Sequence, residues 1–238
     1  MTDYALTTGT DAILGTSGDD TINATSSTLS AGDSITGGVG TDTLALYGTG
    51  TFHIDQVTLG GVESITSNDI SGGSRTFYLG SDNYNLSLSG AGSTTIYNGN
   101  GTFQIHSSGY AFVYTYRWDS SDVFIGGETD FTDLRFGSGG SFDLRTNTLH
   151  VSEIDTYATG VSLTIDSSVA ANVGLFYGGG SNDTLTTTDA ALDLSTTHVT
   201  GFAVTSTNPR PTTSFKMDRD CAPKAIRIPI SRVCCATV

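Results

Sequence analysis

Residues 37–45, GGVGTDTLA, fill every defined position of the pattern G-G-x-G-x-D-x-U-x, with Gly37, Gly38, Gly40, Asp42 and Leu44. Each residue type has a physical task. Glycines admit positive φ and bring backbone carbonyls close to a cation, and the aspartate adds a charged oxygen. The aliphatic residue two places on points inward and pins the next strand. Calcium takes about six to eight oxygens, which neighbouring turns can share. Two further stretches keep part of the pattern. Residues 15–23, GTSGDDTIN, retain Gly15, Gly18, Asp20 and Ile22, with Thr16 at the second glycine position. Residues 178–186, GGGSNDTLT, retain Gly178, Gly179, Asp183 and Leu185, with Ser181 at the fourth. Between the first two copies, LSAGDSITGG (29–38) offers Asp33 in another small-residue turn. The expected ligand is calcium, and its candidate positions are Gly15, Gly18, Asp20, Asp33, Gly37, Gly38, Gly40, Asp42, Gly179 and Asp183. The competing reading is a set of tight turns that need glycine and tolerate Asp or Asn.

A second stretch, IHSSGYAFVYTYRWDSSD (105–122), is rich in aromatic residues. On a strand, Phe112, Tyr114, Tyr116 and Trp118 share one face, and Val113, Thr115 and Arg117 the other. Such a row, if exposed, can stack on sugar rings, and the nearby Tyr110, Arg117 and His106 can be read as the groups of a polysaccharide lyase. The alternative is that the aromatics fill the interior or cover one flank, as ordinary strand formers do. Other catalytic signatures are missing: there is no G-x-S-x-G, H-E-x-x-H or C-x-x-C. His53, His106, His150 and His198 are scattered at no ligand spacing. The acid pairs Asp130 with Asp133, and Glu153 with Asp155, read as solvated faces in an acidic chain.

The elements that must position these residues are strands. Short alternating segments recur between turn signals, among them DTLALYG (42–48), NLSLSG (85–90), TTIYNG (94–99), TFQIHSSG (102–109), AFVYTYRW (111–118), DLRFG (133–137), SFDLRT (141–146), TLHVSEI (148–154) and VSLTID (161–166). No stretch sustains a helical period. Proline is absent before residue 209, so every ladder keeps its N–H groups. The turns recur every ~8–12 residues without obvious hairpins, which favours stacked coils over a sandwich. The expectation is an all-β chain, a parallel β-solenoid over 1–208 with coils of ~18–24 residues, about nine to eleven in number, and residues 1–14 acting as an end cap.

The 238 residues carry 24 acidic and 10 basic side chains, a formal net charge of −14. That balance disfavours nucleic acid and suits divalent cations. No apolar run approaches a membrane span, and the start, MTDYALTTGTDAILG, lacks a basic and then apolar leader, so no N-terminal signal peptide is expected. All four prolines, both lysines and all three cysteines fall after Asn208. Residues 209–238 therefore read as a separate basic tail that does not continue the coils, disordered or foreign to the fold. Cys221, Cys234 and Cys235 show no zinc spacing.

The phrases GTSGDDTINATSSTLSAGDSITGGVGTDTLAL and GGVESIT (60–66) resemble the RTX-type, haemolysin-type glycine/aspartate repeat proteins of Gram-negative bacteria, including surface-layer and adhesin-like members. The resemblance covers residues 11–66 and is weaker around 174–194. It implies calcium-coupled folding into a parallel β-roll or β-helix and type I-like export, hence an extracellular or cell-surface place. Under that reading the partners are calcium ions, with self-association or a surface polysaccharide as further partners. The carbohydrate-binding or lyase-like β-helix using 105–119 is the alternative function.

Overall fold

The computed structural model describes residues 1–69, 71–90, 92–98, 102–115, 118, 122–126, 132–189, 192–194, 196–207 and 234–235. It is an all-β parallel solenoid of about nine turns, almost without helix. The chain forms two compact units, Met1–Thr132 and Asp133–Val238.

In the first unit the coils contribute short strands to three parallel ladders, most coils to two of them. One ladder runs through β1 (Asp3–Ala5), β3 (Thr21–Thr25), β5 (Thr43–Tyr47), β8 (Ser64–Asp69), β10 (Tyr84–Gly90), β12 (Phe103–Ser108) and β14 (Val123–Gly126). A second joins β2 (Ala12–Leu14), β4 (Ser34–Thr36) and β7 (Thr58–Gly60). The third joins β6 (Gly50–His53), β9 (Arg75–Tyr78), β11 (Thr94–Tyr97) and β13 (Ala111–Thr115). The period-two pattern fixes the register, because a one-residue slip would turn every apolar side chain outward. Ile22 therefore lies opposite Leu44, Leu44 opposite Ile65, Ile65 opposite Leu86, Leu86 opposite Ile105, and Ile105 opposite Phe124. All six are fully buried. Phe52, Phe77, Ile96 and Val113 form a second interior column, with the Phe52 and Phe77 rings stacked at 5.1 Å.

The second unit repeats the plan with two ladders. One is β15 (Thr132–Phe136), β17 (Thr148–Thr156), β19 (Val173–Gly178) and β21 (His198–Thr200). The other is β16 (Gly140–Asp143), β18 (Val161–Ile165), β20 (Thr184–Thr187) and β22 (Ala203–Ser206). Leu134, Ile154 and Phe176 stack inside the first, and Leu163, Leu185 and Val204 inside the second.

Residues 1–14 make the short strands β1 and β2, which pair with β3 and β4 as the first coil. A single-turn helix, α1 (Ser167–Ala171), interrupts the strands, with the Asp166 carboxylate accepting Val169 N–H at 2.9 Å. Five residues are too short to show a helical period. Most of the tail, 209–233 and 236–238, lies outside the described residues, while Cys234–Cys235 form β23, antiparallel to β22.

Candidate metal centre

The acids of the glycine-rich turns share one position: each immediately precedes a strand. Asp20, Asp33, Asp42 and Asp183 stand before β3, β4, β5 and β20. All four are almost fully buried. A buried carboxylate needs donors, and backbone N–H groups one coil away supply them. Asp20 accepts Thr2 N–H at 2.7 Å and Thr16 N–H at 2.6 Å. Asp33 accepts Asp11 N–H and Ser30 N–H, both at 2.8 Å. Asp42 Oδ1 accepts Asp20 N–H at 2.7 Å. Asp183 accepts Val161 N–H at 2.9 Å, Thr156 Oγ1–H at 2.6 Å and Gly180 N–H at 3.1 Å. The residues are thus linked coil to coil, because Asp20 N–H donates to Asp42 and Asp42 N–H donates in turn to Glu63 Oε2 at 2.8 Å. The Thr16 N–H bond holds the Asp20 carboxyl below its ordinary range against the opposing effect of burial.

The glycines have an equally specific reason. A Cβ at Gly15 would overlap Gly37 O, and one at Gly37 would overlap Gly61 O. Gly38 and Gly40 take φ of 112° and 144°, where a side chain is strained, and pack on Thr16 O and Gly18 of the preceding turn. In the third motif a Cβ at Gly178 would meet Gly201 O at 2.5 Å, and one at Gly179 would meet Thr156 O at 2.8 Å. Successive turns therefore lie backbone on backbone. Thr16, at the position where the motif has a second glycine, donates its hydroxyl to Asp20 at 2.9 Å.

Calcium needs acceptor oxygens that no protein donor already holds. Asp20, Asp33 and Asp183 have both oxygens engaged by protein donors. Asp42 Oδ2 is buried and has no hydrogen-bond partner. That oxygen and Gly61 O both close on Gly37, where a Cβ would overlap them. A buried carboxylate oxygen without a donor is what a cation relieves, so Asp42 fits calcium at the turn 37–42. Among the described residues, the 37–42 turn included, no three His, Cys, Asp or Glu side chains come together as a metal-holding group, so backbone carbonyls would have to supply most of the oxygens there.

The sequence reading missed several participants. Glu63 extends the acid column, Gly61 supplies a carbonyl, and Asp122 and Asp189 accept Phe103 N–H and Ser167 N–H, both at 2.9 Å. Glu63 and Asp122 carry the same signal as the motif acids, an acid one residue before a strand.

On the aromatic stretch, Phe112 and Tyr114 face outward while Val113 and Thr115 are buried, as the strand alternation requires. Tyr116, Arg117 and Asp119 lie outside the described residues, and Trp118 stacks on Phe124 at 5.7 Å. Tyr114 belongs to a ladder of outward rings, His53, Tyr78, Tyr97 and Tyr114, with centroids 4.8, 4.8 and 5.1 Å apart. Comparison with known protein families, with curated proteins and with solved structures gives no match.

Proposed function

We propose that this chain is a structural repeat module of the cell surface or the extracellular medium, and that calcium taken up at the Gly37–Asp42 turn favours its folded state. The observation that carries the reading is the partnerless, buried Asp42 Oδ2, which closes on Gly37 together with Gly61 O. The solenoid is compatible with a structural role, since its side chains are organised to stack coils. When bound, calcium supplies positive charge to a turn that collects carboxylate and carbonyl oxygens. Asp42 is its carboxylate and Gly61 its carbonyl; the hydrogen bonds of Asp20, Asp33 and Glu63 hold the surrounding turns in register. Calcium that binds the folded turn and not the unfolded chain shifts folding by mass action, by about 2.7 kcal/mol at a hundredfold excess over Kd. Export and adhesion or self-association follow from the family resemblance and belong to the same proposal.

Thermal unfolding of the full chain, followed by circular dichroism in millimolar calcium and in chelator, tests it. A rise of about 5–10 °C in calcium is expected for a module of this size. Identical melting curves would remove calcium from the account, and light scattering that is insensitive to calcium would remove calcium-driven self-association.

The polysaccharide reading rests on the 105–119 stretch, of which Tyr114 belongs to the ladder of outward rings. The ladder's inner rings, Tyr78 and Tyr97, lie face to face with their neighbours on both sides, so a sugar reaches their edges and not their faces. The ladder is better suited to holding coils in register than to stacking on sugars.

A further inference from the structure

The acids of the second unit that read as solvated in the sequence are gathered on one flank. β15 and β17 pair in register, with Asp133 opposite Glu153 and Arg135 opposite Asp155. Leu134 and Ile154, between them, point into the core, so the four polar side chains share the outer face. Three carboxyl groups therefore stand beside one guanidinium. Arg135 Nε donates to Asp133 Oδ2, and its guanidinium lies over the Tyr157 ring at 5.1 Å. Asp133 is 1% exposed and Asp155 7%. Each keeps one buried oxygen, Oδ1, without a hydrogen-bond partner.

A buried, ionised oxygen with no donor is costly, and adjacent carboxylates add repulsion. A solvated acid pair would show neither feature. Among the described residues no three His, Cys, Asp or Glu side chains here form a metal-holding group, and a proton is a species that satisfies an orphaned carboxylate oxygen. We infer that the Asp133–Glu153–Asp155 face is a proton-binding site that stabilises the second unit when pH falls from neutral to mildly acidic. The groups facing Asp155 are Asp133 and Arg135 on β15, Glu153 on its own strand, Tyr177 opposite it on β19, and Asp183 in the turn before β20. Arg135 is the cation of this set, and it is bonded to Asp133.

The titration directions agree. Burial, followed by the charges of Asp133 and Glu153, pushes the Asp155 carboxyl up to about 6. Burial also raises Asp133 and Glu153. The sign follows from linkage. A carboxyl whose folded pKa lies above its unfolded value binds its proton more tightly in the folded state. The stabilisation is full below the unfolded value, near 4, and is lost as pH rises through about 6. The proton belongs to the coupled set, and Asp155 is its main seat.

Urea unfolding of the full chain at pH 5.0 and pH 7.5, followed by a probe of the second unit, tests the proposal. The unfolding equilibrium constant of the wild type should rise roughly tenfold between the two pH values through this site. In Asp155→Asn, which keeps shape and removes the charge, that rise should shrink to less than twofold. A variant that retains the full tenfold rise overturns the proposal. Carbon-13 titration of the side-chain carboxyls of the folded wild type needs no variant: an aspartate midpoint above pH 5 is expected, and its absence overturns the site. A calcium stabilisation of the wild type at pH 7.5 that vanishes in Asp155→Asn would place a cation there instead, and would also overturn it.

Discussion

Asp33 and Asp42 stand in equivalent turns, each one residue before a strand, yet their oxygens are used differently. Asp33 closes two backbone N–H groups, those of Asp11 and Ser30, whereas Asp42 closes one and leaves Oδ2 without a partner. Asp33→Ala should therefore destabilise the chain by about 1–3 kcal/mol for each donor left unsatisfied, while Asp33→Asn, which keeps an acceptor, should cost less. Urea unfolding compares the two; equal losses would show that charge, and not the acceptor, matters at that position. Gly37 gives a second test at this scale. A Cβ there would overlap Gly61 O and Asp42 Oδ2, so Gly37→Ala should cost about 1–3 kcal/mol or more through overpacking, whether or not calcium is present. A neutral Gly37→Ala would mean that successive turns do not lie so close. The acids were legible in the sequence as residue types at motif spacing. Their use as acceptors between coils was not, because one donor to each lies a full coil away, 22 residues for the Asp20–Asp42 bond.

At the scale of elements, the long alternating segments were legible and the shortest were not. DTLALYG, NLSLSG and TFQIHSSG become β5, β10 and β12. The strands β2, β4 and β7 have three residues each, too few for a period-two pattern to rise above the turns around them. α1 escaped for the same reason, although Asp166 before it is a recognisable N-cap. Pairing between coils is where these short pieces gain stability, through interior columns and exterior ladders. Phe77 is fully buried and stacked on Phe52, so Phe77→Ala should cost about 3–5 kcal/mol. Tyr97 lies on the outer flank between two rings, so Tyr97→Ala should cost less, about 1 kcal/mol from lost ring pairs, and Tyr97→Phe almost nothing. Retardation of the full chain in polysaccharide gels separates this from sugar recognition. Retardation that is present in the wild type and abolished by Tyr97→Ala would favour the carbohydrate reading.

For the whole molecule, raised carboxyls lie in the second unit, and lowered ones in both, Asp20 in the first and Asp143, bonded to Arg145, in the second. In the first, hydrogen bonding lowers the Asp20 carboxyl, so its contribution is present above the unfolded value and is lost as pH falls below about 4. In the second, the raised carboxyls of Asp133, Glu153 and Asp155 contribute most below about pH 5. Hydrogen exchange resolved along the chain should show protection failing first in the first unit as pH drops below 4; uniform loss would contradict this division. The solenoid itself was legible because absent proline, recurring turns and alternation all agree on stacked coils. The flank that gathers Asp133 and Asp155 was not, since only the register of β15 with β17 brings those acids together. The central claim is that a calcium ion belongs at the Gly37–Asp42 turn. Isothermal calorimetry of calcium binding to the full chain at neutral pH, for the wild type, Asp42→Asn and Asp33→Asn, tests it most directly. Saturable binding should appear in the wild type, persist in Asp33→Asn and disappear in Asp42→Asn. A wild type that binds no calcium, or an Asp42→Asn variant that binds it undiminished, would contradict the account.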